Sequence, residues 1–114
     1  GMRLKTENFR IPDLAYFTKE QHFSAIKGDH PIPELAIEFL SKSESGEDIA
    51  EKVRDYFSSG VKLVWYIYPI MEMIYVYTSP KEIKVLQGND LCSAAPVIPD
   101  FEFKTKDIFR KEPS

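Results

Sequence analysis

Four side chains could do chemistry together. They are Asp13 in Pro12-Asp13-Leu14-Ala15-Tyr16-Phe17, Glu34 and Glu38 in Pro33-Glu34-Leu35-Ala36-Ile37-Glu38-Phe39-Leu40-Ser41, and Lys52 in a helix-forming stretch. Both acidic stretches read as strands. Strand side chains alternate, so Glu34, Ala36, Glu38 and Leu40 share one face while Leu35, Ile37 and Phe39 form a core face on the other. An ionised carboxylate beside a core costs several kcal/mol unless it is paired, hydrogen-bonded or bound to a metal. Either the two glutamates sit at strand ends facing water, or they belong to a site.

Antiparallel pairing of the two acidic strands distinguishes the glutamates. It sets Asp13 opposite Glu38 and displaces Glu34 toward Phe17. Glu34 and Glu38 are separated by about 13 Å of strand at about 3.3 Å per residue, too far to ligate one ion, so Glu34 is expected to support the site rather than enter it. An Asp and a Glu at facing strand ends are hard oxygen ligands of the kind that hold Mg²⁺. Such an ion acidifies a bound water and offsets charge on a phosphoryl oxygen. That chemistry suits phosphodiester hydrolysis, helped by a positioned lysine. Lys52 flanks the apolar stripe of its helix, so its stem can lie along the sheet and its amine can reach the strand ends. The plainer alternative makes it a solvated partner of Asp48 or Asp55.

The elements that must position these residues follow from the chain in order. A strand is expected over residues 11–18, with a hint of an edge strand before it in residues 2–10. A short helix over 19–27, with Phe23 and Ile26 on one side, is stopped by Gly28. Asp29-His30-Pro31-Ile32-Pro33 cannot continue a helix, and a second strand runs over 34–40. The clearest helix spans Gly46 to Ser59, with Ser45 as cap, Asp48 closing a capping box, a stripe of Ile49, Val53, Tyr56 and Phe57, and Gly60 ending it. Strands follow over 61–68 and 73–78 as a hairpin around a turn at 69–72, then a fifth over 83–86 with a turn at Gly88-Asn89-Asp90. His22, His30 and Cys92 lack metal-site spacing or a partner base and read as surface or loop residues. Trp65, Tyr66, Tyr75 and Tyr77 could stack on bases, although core or dimer-interface roles account for them as well.

Length and composition point to one domain over residues 2–114, Gly1 reading as a cloning scar, and to a core small enough to lean on a homodimer partner. A net charge of −3 excludes an overall basic field for nucleic acid, leaving only a local patch. The single cysteine excludes an internal disulfide. With no secretory core at the N-terminus, the protein is expected to be cytoplasmic. The apolar region over 61–77 is broken by Lys62, Pro69 and Glu72 and rich in strand-forming residues, so no membrane span is expected.

Several ordered motifs together resemble a family. Pro12-Asp13, the stretch Pro33 to Ser41, Glu47-Asp48-Ile49-Ala50-Glu51-Lys52, Tyr56, Gly60-Val61, and Trp65 through Pro69 are similar to the Uma-type restriction endonucleases, a branch of the PD-(D/E)XK nuclease superfamily. The tail Val97-Ile98-Pro99-Asp100-Phe101 resembles the family's closing segment. The resemblance implies an α/β, restriction-endonuclease-like mixed β-sheet flanked by helices, a Mg²⁺ or Mn²⁺ cofactor and DNA as partner. Carried over by residue, Asp13 corresponds to the first acid and Glu38 to the second. Leu40 stands where the superfamily pattern has its lysine, leaving Lys52 as the candidate. The usual Pro-Asp is Pro33-Glu34 here, the usual Ser-Pro is Ser41-Lys42, and the Asp-Pro after the tryptophan strand is Tyr68-Pro69.

Two functions of different class follow. The first is a metal-dependent endonuclease hydrolysing phosphodiester bonds in DNA, with Asp13, Glu38 and Lys52 catalytic. The second is a shortened, inactive relative, lacking the family's N-terminal region, that serves as an interaction or dimerisation module.

Overall fold

The computed structural model describes residues 10–28 and 31–110. The suggested edge strand over 2–10 and His30 therefore lie outside the described residues, apart from Arg10. Among the described residues, seven strands, two α-helices and a closing 3-10 helix follow in order: β1 (Leu14–Tyr16), α1 (Lys19–Ile26), β2 (Leu35–Phe39), α2 (Gly46–Ser59), β3 (Leu63–Tyr68), β4 (Met73–Ser79), β5 (Glu82–Gln87), β6 (Leu91–Ser93), β7 (Glu102–Lys104) and the 3-10 helix Thr105–Phe109. This is a mixed α/β fold, as expected.

Strands β1 to β5 form one sheet in chain order, and β6 pairs with β7 in a second. β1 runs antiparallel to β2, with Leu14 opposite Ile37 and Tyr16 opposite Leu35. β2 and β3 are parallel and are joined by the crossover helix α2, while β3, β4 and β5 are antiparallel neighbours. A parallel pair needs such a crossover because its strands start at the same end.

Alternation along the central strands divides the core into two layers. Ala36, Val64, Tyr66 and Tyr77 turn to one face and pack with Ile49, Val53 and Tyr56 of α2. Leu35, Trp65, Ile67, Ile74 and Val76 turn to the other and pack with Cys92 and Ala94, with Phe103 and Phe109 alongside. β2 and β3 are thus covered on both faces, which explains why Leu63 through Ile67 read as an unbroken apolar run.

The helix ends follow their capping chemistry. Ser45 and Asp48 form the expected capping box, and Gly60 closes α2 at a φ of 110°, a left-handed conformation that glycine adopts without steric cost. Thr18 and Gln21 form a second capping box on α1, which the sequence reading did not anticipate. Phe23 and Ile26 of α1 are exposed rather than part of the core.

Several expectations need correction. β1 is three residues long rather than eight: the Phe39 N–H, which would continue the ladder, donates to the Asp13 side chain at 2.8 Å, and Pro12 has no N–H to offer. β6, the partner of β7, was not foreseen. Cys92 is no surface or loop residue; it is buried in β6, and burial pushes its thiol up to about 12. The aromatic stacking face does not form either, since Trp65 and Tyr66 point to opposite faces and both are buried. Among the described residues, no helix is long and apolar enough to cross a membrane.

Candidate active site

The site lies where the C-terminal end of β2 meets α2. The β1–β2 register ends with Leu14 opposite Ile37, one residue short of Asp13 and Glu38, and the Asp13 carboxylate accepts there from the Phe39 N–H. Glu38 is on the α2 face beside Ala36, and on its other side β3 places Tyr66 as its register partner. Glu38 is only 4% exposed. A glutamate at a strand end facing water would not be, so its charge has to be met inside the fold.

Two side chains of α2, one turn apart, meet it. The Lys52 ammonium lies 3.4 Å from Glu38 Oε1, and the Tyr56 hydroxyl donates to Glu38 Oε2. Residues four apart on a helix share a face, so the stripe that packs α2 on the sheet also delivers a cation and a donor to the carboxylate. Burial, then the hydrogen bond and charge of Glu38, push the Tyr56 phenol well above its ordinary value. The nearby Arg10 charge opposes this and the Asp13 charge adds to it. Arg10 itself is paired with Asp55 at 2.8 Å.

Lys52 has a second and closer carboxylate. Its ammonium is 2.8 Å from Glu44 Oε2, an oxygen that also accepts from the Tyr66 hydroxyl at 2.6 Å, while the Ser41 N–H donates to Glu44 Oε1 at 3.1 Å. Burial pushes Glu44 upward, but the hydrogen bonds from Lys52, Tyr66 and Ser41 outweigh it and its carboxyl sits below the ordinary value. Burial likewise works against the charge of Lys52, and Glu44 and Glu38 together outweigh it, so its ammonium is held above the ordinary value. The alternative of Lys52 as a solvated partner of Asp48 or Asp55 does not describe this geometry: Asp48 is engaged in the cap and Asp55 with Arg10.

Glu34 is held at the other end of β2. Its Oε2 accepts from Gln21 at 3.3 Å and its Oε1 lies 3.6 Å from the Lys62 ammonium. The fold thus gathers Asp13, Glu38 and Lys52 at one end of the strand and ties Glu34 to α1 and the start of β3. Sequence reasoning missed Glu44, Tyr56 and Tyr66 as members of the cluster. Tyr56 carried a usable signal, being a hydroxyl-bearing residue four positions after Lys52 in the apolar stripe. Glu44 sits on a loop and carried none.

Asp13 and Glu38 are the pair that could hold a metal. Among the described residues, no group of three or more His, Cys, Asp or Glu side chains could do so. Mg²⁺ does not require one, since it is commonly bound by one or two carboxylates with water and substrate phosphate oxygens completing its shell. Each carboxylate offers about four lone-pair sites, so Glu38 keeps acceptor capacity beyond its bonds to Lys52 and Tyr56. The donor chemistry fits the ion.

A parallel β2–α2–β3 unit at the centre of a mixed sheet, with a buried glutamate and a half-buried lysine at one end, defines an α/β domain with a charged site at a strand end. The profile of the Uma2 family, described as "Putative restriction endonuclease", matches residues 1–106, and the chain belongs to that family. None of the curated proteins matches it. Among solved structures, it is similar to one titled as a "putative nuclease belonging to DUF820" from Anabaena variabilis, with 21% identity and a TM-score of 0.73 over 88% of this chain. The chain spans 59% of the length of that protein.

Proposed function

We propose that this domain is a metal-dependent endonuclease that hydrolyses phosphodiester bonds in DNA. The observation that supports the reading is Lys52 of α2 beside the buried Glu38, with Asp13 one residue beyond the Leu14–Ile37 pair of the β1–β2 register. Asp13 and Glu38 would hold Mg²⁺ or Mn²⁺. When bound, the ion supplies a hydroxide-like water and offsets charge on the phosphoryl oxygens.

The chain's own residues do the rest. Lys52 presents a fixed positive charge toward the non-bridging oxygens of the phosphate, where negative charge builds as water adds to phosphorus and the bond to the leaving sugar oxygen breaks. Flanked by two carboxylates, it stays protonated, so it stabilises charge rather than accepting a proton. Tyr56 fixes the orientation of Glu38 by donating to the oxygen that Lys52 leaves free. Family membership and the nuclease-like fold support this reading.

Nicking of supercoiled plasmid in the presence of Mg²⁺ or Mn²⁺ tests it. Cleavage by the native chain that disappears in Glu38→Ala is the expected result; no cleavage, or cleavage unchanged by the substitution, overturns it.

A second reading has its own observation. Both Glu38 oxygens are already bonded within the fold, as suits a carboxylate retained for structure in an inactive interaction or dimerisation module. Absence of cleavage together with a concentration-dependent mass in solution would favour it.

A further inference from the structure

Resting on the reading of Lys52 as the charge that faces the phosphate, we propose that Glu44, on the loop between β2 and α2, is the positioning residue that sets where this ammonium sits. The distances separate the two carboxylates: Lys52 Nζ is 2.8 Å from Glu44 and 3.4 Å from Glu38. The first is the length of a charge-assisted hydrogen bond and the second is longer and weaker.

Glu44 can serve as the anchor because both of its carboxylate oxygens are held and its loop is pinned. Tyr66, fully buried in the middle of β3, donates to the oxygen that Lys52 also uses, and the Ser41 amide holds the other oxygen. The loop is pinned at its far end by the Ser45–Asp48 capping box. The Lys52 ammonium also lies 5.9 Å from the centre of the Tyr66 ring, within reach of a cation–π attraction. Lys52 is thereby tied through Glu44 to the central strand of the sheet, although four flexible methylenes separate its charge from α2. Glu38 takes the weaker share of that duty, which matters if its oxygens are to face a metal.

The ammonium resonance of Lys52 in nitrogen-15 NMR of the full chain, at fixed neutral pH and without metal, reads this directly. A lysine ammonium gives a sharp signal when hydrogen bonding slows its exchange with water, and Lys52→Arg assigns the signal by removing it. Glu44→Ala should abolish the signal, Glu44→Gln, which keeps an acceptor oxygen but no charge, should broaden it, and Glu38→Gln should leave it visible. A signal that survives unchanged in Glu44→Gln, or that depends on Glu38 and not on Glu44, overturns the proposal; Glu44→Gln decides the matter if Glu44→Ala fails to fold. Where the native chain cleaves DNA, Glu44→Gln should also lower the turnover rate about 10- to 100-fold with little change in KM, and full turnover without the Lys52 signal overturns the role. A native chain without cleavage removes the nuclease reading alone, because the NMR outcome still decides what positions Lys52.

Discussion

The backbone N–H of Phe39 donates to the Asp13 carboxylate at 2.8 Å, tying the acid that precedes β1 to the residue that follows Glu38 on β2. The same bond ends the β1–β2 ladder and keeps Asp13 at the mouth of the site. Asp13 is exposed and Glu38 buried, so the two acids differ in what they contribute to folding.

Asp13→Asn should therefore separate function from stability. The amide oxygen can still accept from Phe39, so the denaturant midpoint should correspond to a loss of less than about 1 kcal/mol. Metal-dependent cleavage should fall by more than about tenfold in the same protein.

Tyr56→Phe should act in the opposite way. Its ring remains packed in the core between α2 and the sheet, but Glu38 loses a hydrogen bond to a buried charge. A loss of about 2 kcal/mol is expected in equilibrium urea unfolding.

Removing the Lys52 charge strips two carboxylates of their shared cation. Lys52→Met keeps the stem's packing and should cost about 3 kcal/mol in the same unfolding experiment, because Glu38 is left buried without a cation. Cleavage should drop about 100- to 1000-fold, the usual loss when one preorganised charge-stabilising donor is removed.

The pH profile of stability should narrow from both ends. Glu44 sits below its ordinary value of 4.5, so its contribution is present above pH 4.5 and is lost as pH falls through its lower folded value. Lys52 sits above its ordinary value of 10.5, so its contribution is complete below pH 10.5 and is lost as pH rises through the higher folded value. Burial, with Tyr68 and Tyr75 adding to it, raises Tyr77 from 10.0 to about 12, so the unfolded chain ionises first and stability falls over that interval. Thermal melts across pH check the profile, and Glu44→Gln should flatten its acidic limb.

Much of the fold was legible because its signals are local. The capping residues and the glycine stop fixed both ends of α2, and the antiparallel pairing expected of the two acidic strands is the one that β1 and β2 adopt. The three-residue β6 is too short to carry a period, and its pairing with β7 depends on the chain returning over the Trp65 face. Lys52 beside Glu38 was legible from the helix and strand that carry them, whereas Tyr56 and Tyr66, on α2 and β3, read only as core and Glu44 lies on a loop. Glu44 approaches Lys52 only because the loop folds back over Tyr66, a contact spanning 22 positions. Glu34 was expected beside the site, yet Gln21 of α1 and Lys62 before β3 hold it at the far end of the strand, and neither partner is visible from the spacing of the acids.

Metal binding tests most directly whether Asp13 and Glu38 form one site. Titration of Mn²⁺ followed by electron paramagnetic resonance should give saturable binding to the native chain, and either Asp13→Asn or Glu38→Gln alone should weaken it by more than about tenfold. Binding that is absent from the native chain, or that survives both substitutions unchanged, would contradict a shared site.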